Sequence, residues 1–359
     1  MPILPDQLTD FSNLTLSRYD RGKLVSIALD NQFYTFAERG GFTSSKRSVD
    51  GGTSLKWKIK VRNTGSYEDS EMFHVNNPQR ADQTIEAEVK WAKQECAMMF
   101  DVDEPAFQGD DMTMIVDYLK MLEVGMYEDF FVGMEERLWS SPSSPTQSPR
   151  RWAGVPFWLQ QASATASTDF AFSGGDPSGF TAGAAGVDSD TYTNWKNGTF
   201  VYQLVSDTDF IEKVVEACDK CYFRAPKKFN ELGGKAPRWG FYTVYGIVQE
   251  LRLLARGGND NIGNDVSKYR DSVIIRGVEV EWVPELERSG SAALTTAEPF
   301  YGIDWNNFEI VYQKGRDMQT TPVKESPHQV TGRERYLLNW CNSRVVNRRR
   351  HFAGKRATT

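Results

Sequence analysis

Cys218 and Cys221 stand three residues apart, the spacing at which two thiols can exchange a disulfide or share a metal ion. Their surroundings point elsewhere. Ile211, Val214, Cys218 and Tyr222 recur at helical spacing, so the pair falls on the apolar stripe of a helix and reads as core cysteine. A thiolate zinc site needs two further ligands, and Cys96 and Cys341 have no CxxC or histidine companion to complete one. The three histidines, His74, His328 and His351, lie in a polar loop, a Pro-flanked loop and a basic tail, none beside a nucleophile. HExxH, GxSxG and the P-loop string GxxxxGK are absent, and Gly174, Gly175 and Gly179 do not match the dinucleotide fingerprint. The expectation is no catalytic residue, no cofactor and no metal.

Oxygen chemistry is similarly thin. Asp101, Asp103 and Glu104, and separately Asp188 and Asp190, offer carboxylates, but neither group follows a twelve-residue calcium loop, and both read as solvated turns. A carboxylate pair for glycoside hydrolysis leaves no motif, so a carbohydrate-active hydrolase stays open as an alternative. The densest charge is carboxyl-terminal: Arg344, Arg348, Arg349, Arg350, Lys355 and Arg356. Two uses are open for it, contact with nucleic-acid phosphate or contact with carboxylates of a neighbouring subunit.

The elements that would carry these residues begin with a ribbon. Leu55, Trp57, Ile59 and Val61 alternate with Lys56, Lys58, Lys60 and Arg62; Ile85, Ala87, Val89 and Trp91 alternate with Glu86, Glu88 and Lys90. Period-two patterning gives each run one wet and one buried face, and antiparallel pairing would set lysines beside glutamates. A lone two-stranded ribbon is at best marginally stable in water. Its apolar face must be covered, either by its own domain as an edge hairpin or by another subunit as an arm.

Upstream, 1–46 reads as a leader with a helix near 20–32, and Met1 to Asp10 shows no secretory pattern. Downstream, Met112, Ile115, Leu119, Leu122, Met126 and Phe130 predict a helix over about 109–139, either an ordinary core helix or a spine. Pro142, Pro145 and Pro149 end it and mark a boundary. Trp152 to Gln160 reads as strand, and the Ala, Ser and Gly-rich stretch to about 189 as loop with little to bury. Helices are expected at 207–223 and 245–256, and strands at 273–283, 308–313 and 335–340.

A length of 359 residues with 40% hydrophobic content supports a real core rather than disorder. The net charge of -6 argues against a chain whose main task is gripping nucleic acid. No apolar run reaches membrane-spanning length, and four scattered cysteines fit a reducing cytoplasm.

The order of leader, ribbon, long helix, breaker, second unit and returning strands resembles the tailed-bacteriophage major capsid protein with its Hong Kong-type capsid fold. Local strings carry the likeness: Leu138-Trp139, the run Gly154 to Trp158, Tyr192 to Asn197, Pro299 to Trp305 and Asn347 to His351. The resemblance implies an α+β fold. It divides the chain into an amino-terminal arm (1–46), an extended loop (47–95), a peripheral domain (96–150 and 306–359) and an axial domain (151–305). It further implies a non-enzymatic shell subunit forming hexamers and pentamers of an icosahedral capsid, assembled in the host cytoplasm. The implied partners are copies of itself, portal, scaffolding and decoration proteins, and packaged double-stranded DNA, with no membrane. Another virion component, such as a sheath or cementing protein, is a further alternative. On the arm reading, Trp57, Ile59, Val61, Val89 and Trp91 lie against a neighbouring subunit, and Arg344, Arg348, Arg349 and Arg350 against a subunit or DNA.

Overall fold

The computed structural model describes residues 46–62, 69–73, 75, 82–103, 112–162, 169–205, 208–222, 237–257, 273–288 and 298–357. The predicted leader helix near 20–32 lies outside them, as do His74, Glu104 and positions 109–111 of the predicted long helix.

Strand β1 (Lys46–Val49) precedes the ribbon strands β2 (Ser54–Lys60) and β3 (Thr84–Lys90), and β4 (Ala92–Asp101) follows. Trp91 separates the ribbon from β4, a strand not foreseen, because its Met and Cys-rich stretch alternates too loosely. Helix α1 (Met112–Leu138) packs on β4, and at about 1.5 Å per residue it runs roughly 40 Å. Met126, Phe130, Met134 and Leu138, four residues apart, form its buried edge.

The expected strand at 152–160 contains instead a short helix, α2 (Val155–Trp158), with Pro156 in its first turn. Its apolar run is buried on all sides, so periodicity carried no information about its conformation. Gly154 is required there: a Cβ would stand 2.2, 2.4 and 2.5 Å from the carbonyl oxygens of Ser140, Arg137 and Leu138. The chain leaving α1 therefore turns back against the end of its own helix.

Next come β5 (Ala171–Gly174), β6 (Asn197–Tyr202), α3 (Thr208–Cys221), β7 (Trp239–Thr243) and α4 (Tyr245–Gly257). The stretch expected to bury little contributes Phe170, Ala184, Ala185 and Val187 to the core. The expected single strand at 273–283 is a hairpin, β8 (Val273–Ile275) and β9 (Val278–Trp282). Its turn, Arg276 and Gly277, has φ of 52° and 80°, the left-handed pair favoured in two-residue hairpins. Then follow α5 (Glu285–Arg288), β10 (Phe300–Asp304), β11 (Phe308–Gln313), β12 (Gln319–Thr320), β13 (Lys324–Glu325), β14 (Gly332–Val345) and β15 (Phe352–Arg356).

Two large sheets organise these elements, and the ribbon β2-β3 forms a two-stranded sheet of its own. In one, β14 is the long central member: β4 pairs along it from Ala92 to Asp101, while β11, β12 and β13 share its other edge, and β1 adds in parallel to β11. The other has the order β5-β6-β15-β10-β7-β9-β8. Phe200, Phe241, Phe300 and Phe352 pack together there, and Phe210 of α3 stands edge-on to Phe300 at 5.1 Å. The last strand, β15, is not with the other returning strands: it lies between β6 and β10 of the second sheet. Trp139, at the end of α1, reaches Tyr242 and Tyr301 of that sheet at 5.4 and 5.9 Å. The fold is thus α+β, with a core continuous between the sheets.

Candidate assembly interface

The ribbon has the register that alternation requires. Trp57 faces Ala87, Ile59 faces Ile85, Lys58 faces Glu86 and Lys56 faces Glu88. The Lys56 ammonium lies 2.8 Å from Glu86 and 3.6 Å from Glu88. The Glu86 hydrogen bond, with both carboxylate charges, raises the Lys56 pKa.

The ribbon's apolar face is largely covered by its own chain. Leu55, Trp57, Val61, Ala87 and Trp91 are buried, and Ile59 and Val89 are half-buried. The Trp57 and Trp158 rings are 6.2 Å apart, and the Arg344 guanidinium sits 5.9 Å over the Trp57 ring. Glu88 N–H donates to the Ala185 carbonyl at 2.9 Å, Asn194 to that of Val61 at 3.3 Å and Asn342 to that of Lys90 at 2.7 Å. This corrects the expectation that Trp57, Val61 and Trp91 wait for a neighbour. Alternation shows that a face is buried, not what buries it. The outward ribbon surface consists of the charged face and the distal loop, where Met72, Phe73 and Val75 are 91%, 99% and 86% exposed.

The basic run is largely internal. Arg344 pairs with Glu309 through Nε at 3.1 Å and through Nη2. Arg348 is fully buried: Nε donates to the Trp158 carbonyl at 2.8 Å and Nη2 to that of Gly175 at 2.9 Å, with Asp176 3.9 Å from Nη1. Burial lowers its pKa to about 10, which keeps the charge at neutral pH. The Arg349 guanidinium lies 4.0 Å over Phe172, and that of Arg350 4.3 Å over Tyr222 while donating to the Cys221 carbonyl at 3.0 Å. The expectation of an outward patch is corrected for Arg344 and Arg348, whose guanidinium groups are spent inside the subunit. Arg349 and Arg350 are half-buried. His351, assigned to the tail, is buried too, and its Nδ1 accepts the Asp304 N–H at 3.0 Å. The string of arginines alone did not reveal this. The one clue was the apolar neighbourhood, Val345-Val346 before and Phe352-Ala353 after, which marks a chain passing through a core.

The remaining candidates for chemistry are structural. Cys218 and Cys221 are buried on α3; burial pushes the Cys218 thiol up to about 12 and raises that of Cys221, the reverse of an activated nucleophile. Asp188 accepts the Asp190 N–H at 2.8 Å and the Thr191 hydroxyl at 2.6 Å, and these bonds hold its carboxyl below the usual range. Asp101 accepts the Asp103 N–H at 3.1 Å. Asp101 and Asp188 thus cap turns. Among the described residues no cluster of three or more His, Cys, Asp or Glu side chains could hold a metal, and no helix is long and apolar enough to cross a membrane.

No protein-family model matches this sequence, and no curated protein does. Solved structures do. The chain is similar to the cyanophage A-1(L) capsid protein at 10% identity, over 96% of this chain and 99% of that one, with a TM-score of 0.57. The capsid of the native GTA particle matches at 12% identity, over 95% and 96%, with a TM-score of 0.51. The capsid of Myoviridae phage XM1 matches at 8% identity, over 93% and 96%, with a TM-score of 0.50. The chain has the Hong Kong-type capsid fold of tailed phages.

Proposed function

We propose that this chain is the major shell-forming subunit of a tailed double-stranded DNA bacteriophage, assembling with copies of itself into hexamers and pentamers of an icosahedral capsid around the genome. The observation that carries this reading is end-to-end agreement with the cyanophage capsid subunit, 96% of one chain against 99% of the other. A catalytic fold with an incidental likeness would not be expected to match from the ribbon through the closing strand.

On this reading 1–46 is the arm, 47–95 the extended loop, 96–150 with 306–359 the peripheral domain and 151–305 the axial domain. Within the last part, β15 ties the peripheral and axial units together by pairing with β6 and β10. Portal and scaffolding proteins, decoration proteins and the packaged DNA are the partners, with assembly in the host cytoplasm. Of the four arginines named for that contact, the basic run would offer DNA Arg349 and Arg350, both half-buried and each stacked on an aromatic ring.

Electron microscopy of the purified chain, with and without its scaffold, tests the proposal. Capsomers, tubes or closed shells of megadalton mass are the expected outcome. A strictly monomeric species at high concentration with scaffold present would sink it.

A further inference from the structure

Between the base of the ribbon and the chain leaving α1 is a cleft of about 300 Å³. Val89, Pro142, Pro145, Phe157 and Phe180 supply its apolar walls, and the Phe157 and Phe180 rings meet edge-to-face at 5.0 Å. Close backbone approaches fix those walls. A Cβ at Gly179, where φ is 82°, would stand 2.3 Å from the Ser143 carbonyl oxygen, so the turn carrying Phe180 presses directly on the proline segment. Gln147 Oε1 accepts the Ser143 N–H at 2.9 Å, and the Glu88 N–H donates to the Ala185 carbonyl at 2.9 Å. Backbone rather than adjustable side chains frames the space, so it is formed before anything enters it.

The polar groups around the cleft are unequally committed. Asn342 is buried and spends its side chain inside the subunit: Oδ1 accepts the Ala153 N–H at 3.0 Å, and Nδ2 donates to the Lys90 carbonyl at 2.7 Å. Glu88 is exposed but engaged, hydrogen-bonded by Ser54 and 3.6 Å from the Lys56 ammonium. Arg150 and Arg151 stand exposed on the border, and among the described residues neither guanidinium has a hydrogen bond or an ion pair. An occupant therefore meets apolar walls and two uncommitted cations at the mouth. The volume is at the small end of ligand-pocket sizes, which suits a single compact molecule with an apolar body and a negative end.

We propose that this cleft is a binding site for a small aromatic anion, its ring seated against Phe157 and Phe180 and its carboxylate or sulfonate held by Arg150 and Arg151. Guanidinium forks recognise such groups through paired, charge-assisted hydrogen bonds, and a ligand ring extends an edge-to-face aromatic pair. The lining comes from stretches far apart in sequence, 88–90 of the ribbon, 142–153 and 180–186. Occupancy thus ties the ribbon base to the body of the subunit and stabilises the arrangement it binds. The site lies within one chain, so it goes beyond the shell-forming reading and does not depend on it.

The test is fluorescence titration of the purified full-length chain with 1-anilinonaphthalene-8-sulfonate, beside N-phenyl-1-naphthylamine, which has the same rings and no charge. One saturable sulfonate site per chain is expected, with the neutral probe bound about tenfold more weakly. Joint Arg150→Gln and Arg151→Gln substitution should weaken the sulfonate about tenfold and leave the neutral probe within about twofold. Thr181→Trp, which places an indole at an exposed lining position, should weaken both probes about tenfold. All three positions are exposed, so melting of the probe-free variants should match the wild type, while the sulfonate should raise the melt of the wild type and not that of Thr181→Trp. No saturable site, equal affinity for the two probes, or binding that survives Thr181→Trp overturns the proposal. A site open in dispersed chains but closed to the probe in assembled particles gives the cleft to a neighbouring protein segment and overturns the small-molecule reading. Probe binding by a chain that never assembles removes the shell reading alone.

Discussion

Arg348 shows how far the environment of a residue can depart from the meaning of its string. Three consecutive arginines near a chain end suggest phosphate or a partner, yet this guanidinium holds two carbonyls of its own subunit. Arg348→Met should cost about 3–5 kcal/mol in denaturant unfolding, because it orphans both carbonyls and leaves Asp176 without its cation. Arg348→Lys should not rescue it, since a single ammonium cannot span the same acceptors. His351 makes the other prediction at this scale. Burial, and then the charge of Arg348, pushes its pKa down to about 3 from an ordinary 6.5. Between those values the unfolded chain binds the proton that the folded chain refuses, so stability falls as pH falls from about 6.5. Near pH 4.5 the loss from this group should be roughly 2–3 kcal/mol. His351→Asn, which keeps an acceptor for the Asp304 N–H, should flatten urea-unfolding stability over that range. An unchanged slope would mean that His351 is not the group responsible.

At the scale of elements, the ribbon and the end of α1 are where patterning and packing meet. Trp57 is buried against its own Trp158, so Trp57→Asp should destabilise the subunit itself by about 3–5 kcal/mol rather than act on assembly alone. Thermal melting of the unassembled chain measures this; an unshifted melt would return the face to a neighbour. Gly154→Ala presses a methyl group into three backbone carbonyls that cannot yield without unwinding the end of α1, and should cost about 1–3 kcal/mol by the same assay. The ribbon's register was legible because alternation is strict and a one-residue slip would turn every Trp and Ile outward. The hairpin at β8 and β9 was not, because Arg276-Gly277 is a weaker turn signal than Asn-Gly and the flanking residues continue the strand pattern.

For the whole molecule, on the shell-forming reading, each subunit-to-subunit contact can be modest because a closed ring would sum several of them. Phe73→Ser illustrates the division of labour. At 99% exposure it should leave subunit stability within about 0.5 kcal/mol, while lowering the yield of particles in sedimentation.

The sequence by itself determined the local elements with strong signals: the ribbon, the long helix and its end before Pro142, and the core cysteines on α3. Each is written within one strand or a few helical turns, where side-chain spacing and backbone geometry are coupled directly. The tertiary structure alone decided which surface each apolar face meets. It folded the ribbon base onto Trp158, drew Arg348 and His351 inward and inserted β15 between β6 and β10. Those outcomes join residues such as Arg348 and Trp158, 190 positions apart. Burial of a face is a property of its own sequence, but the partner that buries it is chosen by packing of the whole chain.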